Sequence, residues 1–208
     1  MKKIPTLFVR DFEQENGRYV TDQVTPGCEW VLAGVGTPTR KYDGTCVLFD
    51  GEKWWARREV KPGKEAPPNF APIDHDDETG KTVGWEPIEQ SGFAKFHAEV
   101  LASEEAEKAS NGRAVAWHVG TYELIGPKIN GNPEGWGNHD LIYHAWAAVV
   151  PDLSERTFDA LRYHLTTGYP DEGIVWHHPD GRMAKLKVRD FPGGVRVGAG
   201  SEQAAPDA

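Results

Sequence analysis

The chain has 208 residues, 38% of them hydrophobic and including 8 Trp and 8 Phe, which is enough to bury a sizeable core as one large or two small domains. No apolar run approaches the roughly 20 residues of a membrane span, and Met1-Lys2-Lys3-Ile4 leads into no signal-peptide core, so the expected location is cytoplasmic with no membrane partner. Two cysteines (Cys28, Cys46) exclude a disulfide framework, the eight histidines have no zinc-ligand spacing, and a net charge of -9 argues against nonspecific coating of nucleic acid while leaving room for a local basic groove.

Residues 4 to 12 suit a short strand before the polar turn at residues 13 to 18. Tyr19 to Val24 and Cys28 to Leu32 read as two more strands, broken at Pro26-Gly27. A turn-rich approach (Gly34, Gly36, Pro38) then leads to Lys41-Tyr42-Asp43-Gly44-Thr45. That stretch opens the apolar run Cys46-Val47-Leu48-Phe49, which reverses at Asp50-Gly51 into a strand from Trp54 to Val60. A lysine at the mouth of such a hairpin, with glycine three positions on, presents its amine to a backbone-lined space. As a nucleophile it has to lose its proton near neutral pH, against an ordinary pKa of about 10.4. Arg40, Arg57, Arg58, Lys185 and Lys187 are the cations available to favour that loss. Taken alone, Lys-x-Asp-Gly is more often a surface lysine beside a turn.

Lys61 to Gly84, dense in Pro, Gly and acidic residues, reads as a long lid or binding loop. Phe93, Phe96, Val100 and Leu101 recur at helical spacing within a helix expected from Ile88 to Ser110, ended by Asn111-Gly112. Ala114 to Leu124 is the next strand, with Val115, Trp117, Val119, Thr121 and Glu123 on one face, so a carboxylate ends a largely apolar row. After a loop from Gly131 to Asp140 come a strand from Leu141 to Val150 and a helix from Asp152 to Thr166 with Ser154 as candidate N-cap. A second hairpin joins residues 171 to 176 to residues 183 to 188 through Pro179-Asp180-Gly181. It puts Lys185 and Lys187 on one face, an arrangement that suits either an aggregation-blocking edge strand or an anion site. From Gly193 the composition is that of a disordered tail, and no internal repeat is present.

The ordered set Lys41-Tyr42-Asp43-Gly44, the basic pair Arg57-Arg58, Tyr122-Glu123-Leu124-Ile125-Gly126, Glu172-Gly173-Ile174-Val175 and Lys185-Leu186-Lys187 resembles the covalent nucleotidyltransferase superfamily, most closely its ATP-dependent RNA ligases. The resemblance runs from about Val31 to Val188. It implies an α+β nucleotidyltransferase (ATP-grasp-like) fold of twisted antiparallel sheets with flanking helices and the nucleotide in a central cleft. Residues 31–192 would be the adenylyltransferase domain, residues 1–30 an amino-terminal extension packed on it, and residues 193–208 a disordered tail.

By that resemblance Lys41 attacks the α-phosphorus of ATP, expels pyrophosphate and holds AMP through a P–N bond. Lys185 and Lys187 stabilise charge on the α-phosphate. Glu172 is the expected magnesium ligand, with manganese as a substitute, because a hard cation prefers carboxylate and water. Glu123 accepts from a ribose hydroxyl, and Asp43 assists at ribose or metal. Arg58, with Arg57 as the alternative, clamps the ribose or the 5'-phosphate of the end being activated. Leu141 and Tyr143 share a strand face, and Tyr143 is the expected adenine platform, although it equally suits a core aromatic. Arg40 stands where the family carries an acid, which leaves recognition of the base edge open.

The implied activity is RNA ligation, by transfer of AMP to a 5'-phosphate and sealing to a 3'-hydroxyl, as in RNA repair. With about twenty residues after Lys187 and no appended domain expected, seating of the substrate falls to the core, to the 61–84 loop or to an accessory protein. The motifs do not separate this from DNA nick ligation, and a GTP-using capping-type guanylyltransferase is a further alternative. A nucleic-acid-end binding module that keeps the fold is the non-enzymatic one.

Overall fold

The computed structural model describes residues 2–13, 16–77, 79–111 and 116–196. In chain order the elements are β1 (Phe8–Arg10), β2 (Val20–Val24), α1 (Glu29–Leu32), β3 (Thr37–Lys41), β4 (Thr45–Phe49) and β5 (Trp54–Val60). Then follow β6 (Ala71–Asp76), β7 (Lys81–Pro87), α2 (Ala94–Asn111), β8 (Gly120–Ile125), β9 (Asp140–Tyr143), α3 (Phe158–Thr166), β10 (Gly173–His177) and β11 (Met183–Lys187). The result is an α+β chain with antiparallel sheets and few helices. It divides into two compact units, one built on Gly44–Trp146 and the other joining Ile4–Asp43 to the chain from Ala147 on.

In the second of these units a three-stranded sheet runs β11-β10-β3. Both edges of that sheet are covered. On the β11 side the Leu7 amide donates to the Lys185 carbonyl and the Lys185 amide to that of Pro5. Beside β3, the Arg40 amide donates to Ala148 and the Val150 amide to Pro38. An edge that would otherwise offer open backbone groups is thereby paired. Leu161 and Leu165 of α3 bury fully against Leu7, Phe8, Ile174, Trp176 and Leu186, each such side chain stabilising the fold by about 2 kcal/mol. The cap of α3 is Thr157, whose hydroxyl accepts from the Ala160 amide, and not Ser154. The Arg156 guanidinium explains the shift: it donates to the carbonyls of Leu153, Val31, Val35 and Gly36 and so holds the preceding segment out of helix. Cys28 to Leu32, expected as a strand, contains the helical turn α1 with Trp30 and Val31 buried. A four-residue turn cannot show helical periodicity in sequence.

The other unit carries a six-stranded sheet, β6-β7-β5-β4-β8-β9. Val47, Trp54, Ala56, Tyr122, Leu124 and Leu141 form one face and pack with Ile88 and Val100. The helix of this core begins at Ala94, after a 3-10 turn at Ile88–Gln90, because Ser91 is extended and its hydroxyl takes the Phe93 amide.

The presumed loop at residues 61–84 contains the hairpin β6–β7. Ala-Pro-Ile-Asp-His-Asp buries no residue and shifts register between Pro72 and Asp74, as suits a solvated edge strand, and so gives no alternation to read. β8 starts only at Gly120, and Ala114 and Val115 of its expected span lie outside the described residues. The strand expected from Leu141 ends at Tyr143 in a 3-10 turn, His144–Trp146. Residues 193–196 of the expected tail are described, with Arg196 donating to the Pro170 carbonyl; residues 197–208 lie outside. No helix among the described residues is long and apolar enough to cross a membrane.

Candidate active site

Lys41 is not at the mouth of the β4–β5 hairpin. Its backbone pairs with Gly173, so it completes β3, and Tyr42-Asp43-Gly44 is the link that carries the chain from one sheet to the start of β4 in the other. This register decides the first group of residues. Gly173, the first residue of β10, is flanked by Lys41 on one side and Lys187 on the other. Glu172 therefore lies one residue beyond, between two strand ends that each finish in a lysine. Its Oε2 accepts from Lys41 Nζ at 2.5 Å and its Oε1 accepts from Lys187 Nζ, with the carboxylate only 8% exposed.

Gly173 is glycine for a steric reason. A Cβ there would stand 2.2 Å from the Leu186 carbonyl oxygen and wedge β10 off β11. Lys185 lies two residues before Lys187 on the half-buried face of β11, while Ala184 and Leu186 point into the core, as the alternation of the sequence predicts.

Electrostatics follow from this packing. Burial alone would raise the Glu172 carboxyl, but the Lys41 and Lys187 ammonium groups outweigh it and hold it below the usual carboxylate range. Burial also pulls the Lys187 ammonium below the ordinary lysine value, with Lys41 and Arg189 acting the same way and Glu172 opposing. Around this group, Arg40 pairs with Asp171 at 2.8 Å and lies over the Tyr42 ring at 4.4 Å, and Asp43 faces Arg196 at 3.8 Å. Both oxygens of Glu172 are thus engaged by ammonium groups, and no cluster of three metal-ligating side chains occurs among the described residues. That donor set does not fit a protein-caged metal. It fits only an ion that keeps its own waters and travels on phosphate oxygens.

The second group belongs to the other unit. Glu123 pairs with Cys46 across β8 and β4, so it lies on the sheet face opposite the Tyr122 and Leu124 core. It is 8% exposed. Its Oε1 accepts from the Gly44 amide at 3.0 Å, and Asn130 Nδ2 donates to the Gly44 carbonyl at 2.7 Å, so both backbone groups of that glycine are held. A Cβ on Gly44 would meet the Leu124 carbonyl oxygen at 2.2 Å, which is why the motif has no side chain there.

Two expectations are corrected by register. Tyr143 pairs with Tyr122 and shares its face: its ring contacts Tyr122 and Trp146 and its hydroxyl donates to the Val119 carbonyl. The residue that shares Glu123's face is Ile142, so the adenine platform expected of Tyr143 is not on that face. On β5, Arg58 follows Ala56 on the core side of the pleat and is exposed, whereas Arg57 is half-buried on the face of Glu123. The Nε of Arg57 is buried without a hydrogen-bond partner among the described residues, which makes Arg57, the alternative, the better-placed cation.

Sequence reasoning missed His144, whose ring bridges Thr121 and Glu123, and Asn130. Neither belongs to a motif. Only the pairing of β9 with β8 would have pointed to His144.

No protein-family profile matches the chain. It is 24% identical to RNA ligase 1 of Danio rerio over 89% of its own length and 79% of that protein's. It is 26% identical to RNA ligase 1 of Pongo abelii and of Mus musculus over 72% and 71% of its length, and spans 65% and 64% of theirs, just under two thirds. Each of these relatives bears the name RNA ligase 1, and the likeness to them extends over 71% or more of the chain.

Proposed function

We propose that this protein is an ATP-dependent RNA ligase that acts through a covalent lysyl-AMP intermediate on a nucleotidyltransferase (ATP-grasp-like) fold. The observation that carries the reading is the convergence of Lys41 and Lys187 on buried Glu172, each lysine ending a strand of one sheet, in a chain similar to RNA ligases. A buried carboxylate shared by two lysines fixes where both amines sit, and fixed cations beside a reacting phosphate stabilise the charge that builds as pyrophosphate leaves.

In this reading the neutral Lys41 amine attacks the α-phosphorus of ATP, the P–O bond to pyrophosphate breaks and a P–N bond forms. The AMP passes to the 5'-phosphate of an RNA end. A 3'-hydroxyl then attacks that activated end, joining the strands and releasing AMP. Lys185 and Lys187 oppose the charge on the α-phosphate, and Glu172 positions both Lys41 and Lys187. Arg57 binds the 5'-phosphate end, and Glu123 accepts from a ribose hydroxyl. Magnesium, or manganese in its place, comes with the phosphates of ATP, neutralising them as it does in other phosphoryl transfers. Cations, a positioned carboxylate and a strand-end amine also suit a GTP-using enzyme, so the test carries a GTP arm.

The purified protein and Lys41→Ala are incubated with magnesium and α-labelled ATP or GTP, and label surviving denaturing electrophoresis is counted. Label from ATP, absent with GTP and absent in the variant, is the expected result. No label on folded protein whose mass shows no prior adenylylation overturns the ligase reading and leaves a nucleic-acid-end binding module.

A further inference from the structure

We propose that His144 is a positioning residue that fixes the orientation in which the Glu123 carboxylate meets the nucleotide's ribose hydroxyl, and thereby sets discrimination between ribo- and deoxyribonucleotides. The proposal rests on the ligase reading above and deepens it at one carboxylate.

The geometry begins with β-sheet register. Tyr143 pairs with Tyr122 and ends the strand, so His144, the first residue of the following 3-10 turn, leaves the sheet next to the start of β8. Thr121 and Glu123 are two apart on β8 and share a face. The imidazole spans them, with Nδ1 2.9 Å from Thr121 Oγ1 and Nε2 3.0 Å from Glu123 Oε2.

An ionised carboxylate offers only lone pairs, so the contact at Oε2 needs the hydrogen on Nε2. In the neutral ring Nδ1 is then an acceptor, and the Thr121 hydroxyl donates to it. The hydroxyl thus selects the tautomer, the tautomer donates to Oε2, and the Gly44 amide holds Oε1 from the other side. Each Glu123 oxygen keeps one further lone pair, aimed in a direction fixed by the donor already bound. A carboxylate on a flexible side chain would otherwise rotate and offer its lone pairs over a range of directions, and alignment is what gives a hydrogen bond its strength. His144 and Glu123 are 26% and 11% exposed at their side chains, so water competes weakly for these contacts.

The test measures the rate of Lys41 labelling at subsaturating nucleotide for ATP, 2'-deoxy-ATP and 3'-deoxy-ATP. Wild type, His144→Ala and His144→Gln are compared on the 208-residue chain, with melting temperatures recorded alongside. Wild type is expected to prefer ATP over at least one deoxy analogue by about tenfold, the scale of one hydrogen bond to a charged acceptor. In His144→Ala that preference falls to about twofold or less because labelling with ATP drops while labelling with the analogue holds, and His144→Gln, whose amide can donate to Oε2, recovers part of it. A purely structural histidine would slow all three nucleotides by one common factor, and that result overturns the proposal. Full preference retained in a folded His144→Ala, or a wild type that discriminates against neither analogue, overturns it as well, and in both cases labelled Lys41 leaves the ligase reading standing. Absence of label from wild type with any nucleotide overturns both.

Discussion

Replacing Glu172 with glutamine removes the negative charge that Lys41 and Lys187 hold in common while keeping the shape of the side chain. The amide can still accept from one lysine, but its NH2 end turns a donor toward the other. Two ammonium groups left about 5 Å apart repel by about 3 kcal/mol at an effective dielectric of about 20. Independently, breaking a buried ion pair by neutralising one partner costs about 3–5 kcal/mol, and all three side chains are 20% exposed or less. The two routes agree on a loss of about 3 kcal/mol, which for a chain of this length lowers the melting temperature by about 6–12 °C. Adding Lys187→Met removes the repulsion and recovers at least half of the loss. Thermal and urea denaturation of the two variants beside wild type measures both quantities. A Glu172→Gln protein within about 1 kcal/mol of wild type, or a double variant no better than the single, would refute the argument that this carboxylate organises the two lysines. The same reasoning fixes a pH window. The folded carboxyl titrates below its unfolded value, so its contribution is present above about pH 4.3 and disappears as pH falls through the lower folded value. Glu172→Gln lacks that acid-sensitive component.

His97 packs edge-on against Trp54 and is 3% exposed. Burial, against an opposing pull from Glu89, pushes its pKa down to about 4, so the unfolded state takes the proton first as pH falls. Stability should drop by about 3 kcal/mol from pH 6.5 to about 4, and urea melts of His97→Asn should lose that slope; an unchanged slope contradicts the assignment. Gly173→Ala should cost about 2–3 kcal/mol, because its Cβ meets a backbone carbonyl that belongs to the sheet and cannot yield alone. A melting curve like that of wild type would show that β10 and β11 tolerate the separation. Arg57→Ala should slow joining of 5'-phosphorylated RNA by about tenfold or more while Lys41 labelling persists, and Arg58→Ala should stay within about twofold. The opposite ranking in a strand-joining assay would return the role to Arg58.

The hairpins at residues 45–60 and 173–187 were legible from composition because each has a turn signal between β-rich runs, and Asp50 shows why: its Oδ1 accepts from the Glu52 and Lys53 amides across the turn. The shared face of Lys185 and Lys187 was legible because side chains alternate along any strand. The residue types proposed to carry the chemistry were readable for the same local reasons, since Lys41, Glu172 and Lys187 sit in short motifs that follow one another in the sequence.

Partners across a sheet were not readable. A strand's own residues do not say which strand lies beside it or at what register, and a slip of one residue exchanges the two faces. That is why the sequence does not tell Tyr143 from Ile142 or Arg58 from Arg57 by face, and why β6, which buries no residue, reads as a loop. Only tertiary pairing put Gly173 between Lys41 and Lys187 so that one carboxylate meets two amines, and only it brought His144 within hydrogen-bonding reach of Thr121 and Glu123. The sequence by itself determined which groups the proposed nucleotide chemistry has to draw on, because propensity and alternation act over a few residues. Their convergence depends on contacts more than a hundred residues apart along the chain, such as Lys41 with Glu172, and such contacts exist only once the sheets have formed.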